Sequence, residues 1–300
     1  MEPNVTWTGN VKVQDALKAN RTALLGDKQT VTIFAGGGAM AGAFGAGVLA
    51  GLEYAGFGNA CRTYVGVSAG AVNLAFFASS RASALADLYA EDLASPRFCN
   101  PARFWNIIDM EYARNALHRR LDMAQLKRSQ APIYAGLTRS DGEGVFMDLR
   151  SAENGFAVLA ASTAIPLNAQ SAQRLPDGAS YFDGEMALPL PVHDIGICIA
   201  AANMLLVLNR PFSYLSETDP CADAGTVMRL LCPKMFKDHL LRRNRIYNTC
   251  VNFVRQRLLD GARIGIIAPD APMDEMCRDP RVLRRIVYAA SEQTEALFKS

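Results

Sequence analysis

Residues 66–70 read Gly-Val-Ser-Ala-Gly, with Gly66 and Gly70 each two positions from Ser68. A serine hydroxyl acts as a nucleophile when a sharp strand-to-helix turn exposes its Oγ and a neighbouring base takes its proton. Small flanking residues are needed because larger side chains would collide with the crossing strand and helix. A plainer reading of the same residues is a glycine-flanked serine capping a helix. The three histidines carry no signature of a triad base. His118 precedes Arg119-Arg120 in a helical stretch, His239 lies in a basic helix, and both read as solvated surface. His193 follows "PLPV" and reads as a cap for the next helix. Acids offer a better base. Asp141, Asp177, Asp183 and Asp260 each lead an Asp-Gly pair. Only Asp183, in "SYFDGEMALPLPV", follows an aromatic strand end and enters a Pro-rich apolar segment. An acid delivered at a strand end beside a nucleophile turn is placed for proton transfer. Its plain alternative is a turn aspartate bonding its own backbone.

The stretch "AGGGAMAGAFGAGVLAGLE" (35–53) adds a third chemical element. Backbone this bare lets a partner come close: a phosphate, an oxyanion or a neighbouring helix. Gly36 to Ala41 also spell G-x-G-x-x-A, the form of a dinucleotide fingerprint. That reading needs an acid at the end of the second strand for a ribose, and the strand ends instead in Gly-Val-Ser-Ala-Gly.

The elements that must hold these residues follow from periodicity. "TVTIFA" (30–35) and "RTYVGV" (62–67) read as buried strands, and residues 40–56 and "AGAVNLAFFAS" as closely packed helices. Residues 81–130 read as mostly helical, interrupted by "SPRFCNPARFW". "APIYAGLTRS" and "GEGVFMDLR" read as a hairpin turning at Asp141-Gly142. A helix follows, stopped near Pro166, then late strands "NMLLVLNRP" and "RIGIIAPD" and helical patterns at 222–259 and 280–299. The order β-α-β-α, then mixed α and β, argues for one α/β domain with a mainly parallel sheet. The division expected is an N-terminal extension (1–29), polar and weakly patterned, and a single domain (30–300) whose residues 215–300 are helical.

The composition is 50% hydrophobic and 20% charged over 300 residues, enough for a sizeable core. A formal net charge of +2 gives no case for a nucleic-acid binder. Seven scattered cysteines without a CxxC pair suit reduced thiols rather than a disulfide framework or a metal site. No basic start followed by an apolar stretch marks a signal peptide, and the apolar region around 195–208 is too short and interrupted to span a bilayer. A cytoplasmic protein is the default expectation, with signal-independent export left open.

With these residues in place, the chain resembles the patatin-like phospholipases, serine lipid acyl hydrolases with a Ser-Asp dyad. Four motifs carry the resemblance, in order, over about residues 30–210: the glycine loop leading to Gly47-Val48-Leu49, the G-x-S-x-G around Ser68, the A-S-x-A-x-P of Ala161–Pro166, and Asp183-Gly184. The resemblance implies a three-layer α/β/α fold with a central, mainly parallel sheet. It makes Ser68 the nucleophile, Asp183 the base, and the amides of Gly36, Gly37, Gly38 and Ala39 the oxyanion donors, with Gly42, Gly66, Gly70 and Gly184 as motif positions. It implies a lipid or phospholipid substrate and no cofactor or metal. Two positions depart from the family pattern. Glu185 stands where a small residue follows Asp-Gly, and the loop's Arg or Lys is replaced by Ala41. These departures motivate a second reading, a lipid-binding or regulatory protein with little turnover; an acyltransferase using the same acyl-enzyme is a third. "KMFKDHLLRRNRIYNTCVNFVRQR" (234–257), with Arg242, Arg243 and Arg245, could lie on anionic headgroups or be an ordinary helix with a solvated basic side. "SPRFCNPARFW" could be an aromatic lid or a packed loop.

Overall fold

The computed structural model of the chain describes residues 2–23, 29–100, 103, 108–166, 172–190, 192, 203–216 and 234–299, the side chains of 234–242 excepted. Its centre is a run of short strands buried along their whole length: β2 (Val31–Ala35), β3 (Thr63–Val67), β8 (Asn203–Val207) and β9 (Ile264–Pro269). Strands apolar on both faces need cover on both, and the side chains divide accordingly. Along β2, Ile33 and Ala35 join one apolar cluster while Phe34 joins the other. The first cluster holds the helices α1 (Lys12–Thr22), α2 (Gly42–Tyr54), α3 (Ala69–Ala78), α5 (Met110–Arg120), α7 (Gly155–Ser162) and α9 (Pro280–Lys299). The second lies under α8 (Lys234–Leu259), through Tyr247, Cys250, Val251 and Val254. The remaining α-helices among the described residues are short: α4 (Leu85–Asp87), which runs on into a wide turn over Leu88–Leu93, and α6 (Met123–Lys127). The fold is thus the expected α/β sheet with helices on both faces.

Among the described residues the sheet has nine strands. β9, β8, β2, β3 and β4 (Ile133–Arg139) are parallel neighbours. Antiparallel strands finish both sides: β1 (Val5–Gly9) on β9, and β5 (Gly144–Asp148), β6 (Gln173–Arg174) and β7 (Ser180–Asp183) beyond β3 and β4. The β4–β5 hairpin turns at Asp141-Gly142 as its sequence required, with Gly142 at φ +94°.

The N-terminal residues are more integral than a weakly patterned extension. Val5–Gly9 pair with β9 through Val5↔Pro269 to Gly9↔Gly265, and α1 buries Val13, Ala16, Leu17 and Asn20. The pattern was faint for a physical reason: β1 is a half-exposed edge strand, and α1 turns only a thin stripe to the core. Residues 24–28 lie outside the described residues.

Helix α2 shows what two of the glycines in residues 35–53 do. A Cβ on Gly47 would run into the Val287 carbonyl and stand 2.7 Å from the Ala290 Cβ, and one on Gly51 would meet the Ser291 carbonyl and come 2.8 Å from the Thr294 Cβ. Two helical backbones meet here with no room for side chains. We expect Gly47→Val to destabilise the fold by about 1–3 kcal/mol or more, through overpacking against backbone that cannot yield. Urea unfolding followed by circular dichroism measures it; an unchanged midpoint would mean that α9 shifts freely.

Candidate active site

The pairing along β4 decides where the chemistry can be. On one edge β3 pairs in parallel up to Val67↔Gly136. The opposite edge is taken by β5, from Tyr134↔Asp148 to Thr138↔Gly144. β7 pairs antiparallel at Leu137↔Asp183, Thr138↔Phe182 and Arg139↔Tyr181. Since β5 already occupies the far edge at Leu137 and Thr138, β7 lies on the β3 edge. It runs down to meet the end of β3 as that strand runs up. The two strand ends abut, and the residues they deliver are Ser68 and Asp183.

Ser68 sits on a strained turn, φ 53° and ψ −126°, between β3 and α3. Positive φ at a non-glycine residue costs energy and persists where the surroundings enforce it. Here Gly66 and Gly70 permit the turn. A Cβ on Gly66 would lie 2.6 Å from the Ala71 nitrogen, and one on Gly70 would collide with the Ala35 carbonyl. The Ser68 hydroxyl donates to Asp183 Oδ2 at 2.6 Å, and both residues are buried.

The A-S-x-A-x-P block proves to hold both partners. Ser162 Oγ accepts from the Ser68 N–H at 3.1 Å and donates to the Gly136 carbonyl at 2.8 Å. The Ala164 carbonyl accepts from the Asp183 N–H at 2.9 Å. Thr138 Oγ1 donates to the Asp183 carbonyl at 2.9 Å. Gly184 packs where a Cβ would strike the Gly136 carbonyl. Ser162 and Thr138 were missed as supporting residues; the motif pointed to the block but not to the bonds it makes.

Burial raises the Asp183 carboxyl, and the Glu185 carboxylate two residues on raises it further. The Ser68 hydroxyl, the Glu185 N–H on Oδ1 at 2.8 Å and the Arg243 charge pull it back, leaving it pushed up to about 7. Glu185 does not point to solvent. It lies against Gly37, whose added Cβ would come within 2.5 Å of Glu185 Oε1, and accepts from Arg243 Nη2 at 2.8 Å. Arg243, which the sequence offered either for headgroup contact or for a solvated basic side, is therefore turned inward. The reason is charge: a carboxylate this shielded needs a partner, and the α8 backbone passes within reach. Arg245 is exposed, and the Arg242 side chain lies outside the described residues.

The glycine loop flanks the Ser68 turn: a Cβ on Gly42 would be 2.7 Å from the Ala69 Cβ. It bends at Gly38 (φ +126°) and Ala39 (φ +47°). Gly36 differs from the expected set of donors, because its N–H is spent on the Val207 carbonyl at 3.0 Å, continuing the β2–β8 pairing. Gly37, Gly38 and Ala39 keep amides without an acceptor among the described residues. A small pocket opens beside the loop, lined in part by Glu185, Leu190, Leu208, Arg210 and Tyr247. Of the histidines, His118 stacks on Phe156 with ring centres 3.7 Å apart. His193 and the His239 side chain lie outside the described residues, as do residues 101, 102, 104 and 105 of the stretch read as a lid or a packed loop.

The model of the family described as patatin-like phospholipase matches residues 33–195, more than half of the chain. The chain belongs to that family, and so to the lipid acyl hydrolases in general. Among solved structures, the crystal structure of VipD from Legionella pneumophila aligns with all of this chain and 70% of its own, at 10% identity and a TM-score of 0.46. No curated protein matches. Among the described residues no helix is long and apolar enough to cross a membrane.

Two expectations follow. Ser162→Ala leaves the Gly136 carbonyl and the Ser68 N–H without their partner in a dry site, and should cost about 1–3 kcal/mol in denaturant unfolding. Asp183, with its raised pKa, holds a proton in the folded chain at pH values where an unfolded aspartate, near ~3.9, has lost it. Its contribution to stability is therefore full below about pH 4 and lost as the pH rises through about 7. Asp183→Asn should melt near the wild type at low pH and above it at about pH 8. Parallel melting curves would refute the raised pKa.

Proposed function

We propose that the protein hydrolyses carboxylic esters of lipids through an acyl-enzyme on Ser68, with Asp183 as the base. The observation that carries this reading is the 2.6 Å hydrogen bond from Ser68 Oγ to Asp183 Oδ2, at a strained turn beside a loop whose Gly37, Gly38 and Ala39 amides have no acceptor among the described residues. Ser68 Oγ attacks the ester carbonyl and its proton passes to Asp183. The N–H groups of Gly37 and Gly38, with Ala39 at the bend, receive the charge that develops on the carbonyl oxygen. As the tetrahedral adduct collapses, Asp183 returns the proton to the leaving alkoxide. Water then attacks the acyl-enzyme, Asp183 takes its proton, and a fatty acid is released with Ser68 restored. An ordinary aspartate is a weak base at neutral pH; one raised to about 7 is matched to the task.

Fluorophosphonate labelling followed by peptide mass spectrometry tests the nucleophile. The wild type should be modified on Ser68, Ser68→Ala should not label, and Asp183→Asn should hydrolyse lipid esters about 10²–10⁴-fold more slowly. A wild type that binds lipid vesicles but never labels would instead be a lipid-binding protein. Free fatty acid should be the product even with an acceptor alcohol present; alkyl ester in its place would indicate acyl transfer. The rate should rise with pH through a midpoint near 7, the ionisation of the base. Glu185→Gln removes the neighbouring like charge and should move that midpoint lower.

A further inference from the structure

A loop of consecutive glycines has no side chains by which to anchor itself, and glycine loses more freedom on ordering than any other residue. Yet donors that receive a developing charge must be held to within a fraction of an ångström. Asn209, two residues past β8 and 4% exposed, supplies an anchor from outside the loop. Its Nδ2 donates to the Gly36 carbonyl at 2.8 Å and to the Gly37 carbonyl at 2.9 Å. Its Oδ1 accepts from the Gly45 N–H at 3.0 Å, tying the same side chain to the first turns of α2. Every hydrogen-bonding direction this amide needs to hold two peptide planes is in use.

The peptide unit is rigid and, throughout the described chain, trans. The Gly36 carbonyl and the Gly37 N–H belong to one such plane and point in opposite directions; so do the Gly37 carbonyl and the Gly38 N–H. Gripping the two carbonyls therefore aims the two amides at the face away from Asn209. We infer that Asn209 is the positioning residue for the oxyanion donors, acting through Gly36 and Gly37 without touching substrate. A second brace lies further along the chain, where the Glu275 carbonyl accepts from the Met40 N–H at 3.2 Å and the Glu275 carboxylate is bound by Arg210. Both braces come from beyond residue 195, where the family match ends. The inference rests on the hydrolase reading above, since it assigns the aimed amides a task.

Two variants test it. Asn209→Asp keeps the bond from Gly45 but faces two carbonyls with an oxygen where they now meet a donor. Asn209→Ser is small and neutral and serves equally if the aspartate variant does not fold. The fluorophosphonate acylation rate per folded molecule should fall by about 10-fold to 10²-fold, with kcat reduced and KM little changed. Backbone hydrogen exchange over residues 36–41 should quicken, while exchange in α9 stays as in the wild type. A purely structural role would lower the melting temperature and leave the rate per folded molecule alone. Folded variants that acylate at the wild-type rate overturn the inference. If the wild type itself does not label, the hydrolase reading falls instead. The exchange rates then still decide whether Asn209 holds the loop: unchanged exchange in the variants would overturn that too.

Discussion

Everything at this site depends on one register along β4. Gly136 faces Val67 and the next residue, Leu137, faces Asp183, both on the same edge. A parallel strand and an antiparallel strand thereby share that edge end to end. A hydroxyl from the end of one strand and a carboxyl from the end of the other come within a hydrogen bond, although 115 residues separate them. A slip of one residue in either pairing would turn one of the two side chains to the other face of the sheet. The supports follow the same logic: Ser162 bonds both the Ser68 amide and the Gly136 carbonyl, and Thr138 bonds the Asp183 carbonyl. The fixed point of the site is thus β4, a strand that contributes no reacting group.

Burying Asp183 sets the second constraint. Water is excluded, the charged form is disfavoured, and Glu185 adds like charge from two residues away. Such a pair persists only with compensation, and the Arg243 guanidinium provides it from α8. That helix covers the opposite face of the sheet from α2 and α3, so the electrostatics of Asp183 draw on both layers of the fold. A balance of this kind leaves a carboxyl near neutrality rather than fully acidic or permanently protonated.

Much of the architecture was legible because its signals are local. The four buried strands stand out as short, largely apolar runs, the hairpin announces itself at Asp141-Gly142, and α3 follows its strand at once. Ser68 and Asp183 were legible as candidates for the same reason: a glycine-framed serine and an aspartate at an aromatic strand end are short-range patterns. What escaped notice had weak or ambiguous local form. β1 and α1 are half-exposed and read as an extension, though they pair with and pack on the sheet. Arg243 looked like one of three equivalent surface cations until Glu185 lay opposite it. Gly36 looked like an oxyanion donor because three adjacent glycines are indistinguishable in sequence; the Val207 carbonyl singles one out.

The sequence by itself determined the alphabet of the site: a serine at a tight turn, a lone well-framed acid, a bare loop, and the alternation that makes a doubly covered sheet. These properties reside in stretches of a few residues, where backbone geometry and side-chain size act directly. The tertiary structure alone decided which loop amides lack an acceptor among the described residues, which cation meets Glu185, and what grips the loop. Asn209 lies 173 residues from Gly36 and carries no motif of its own. Its role exists only because β8 pairs beside β2, bringing its end to the loop's carbonyls. Hydrogen bonds depend on distance and direction in space, and for residues this far apart in the chain only the completed sheet sets either.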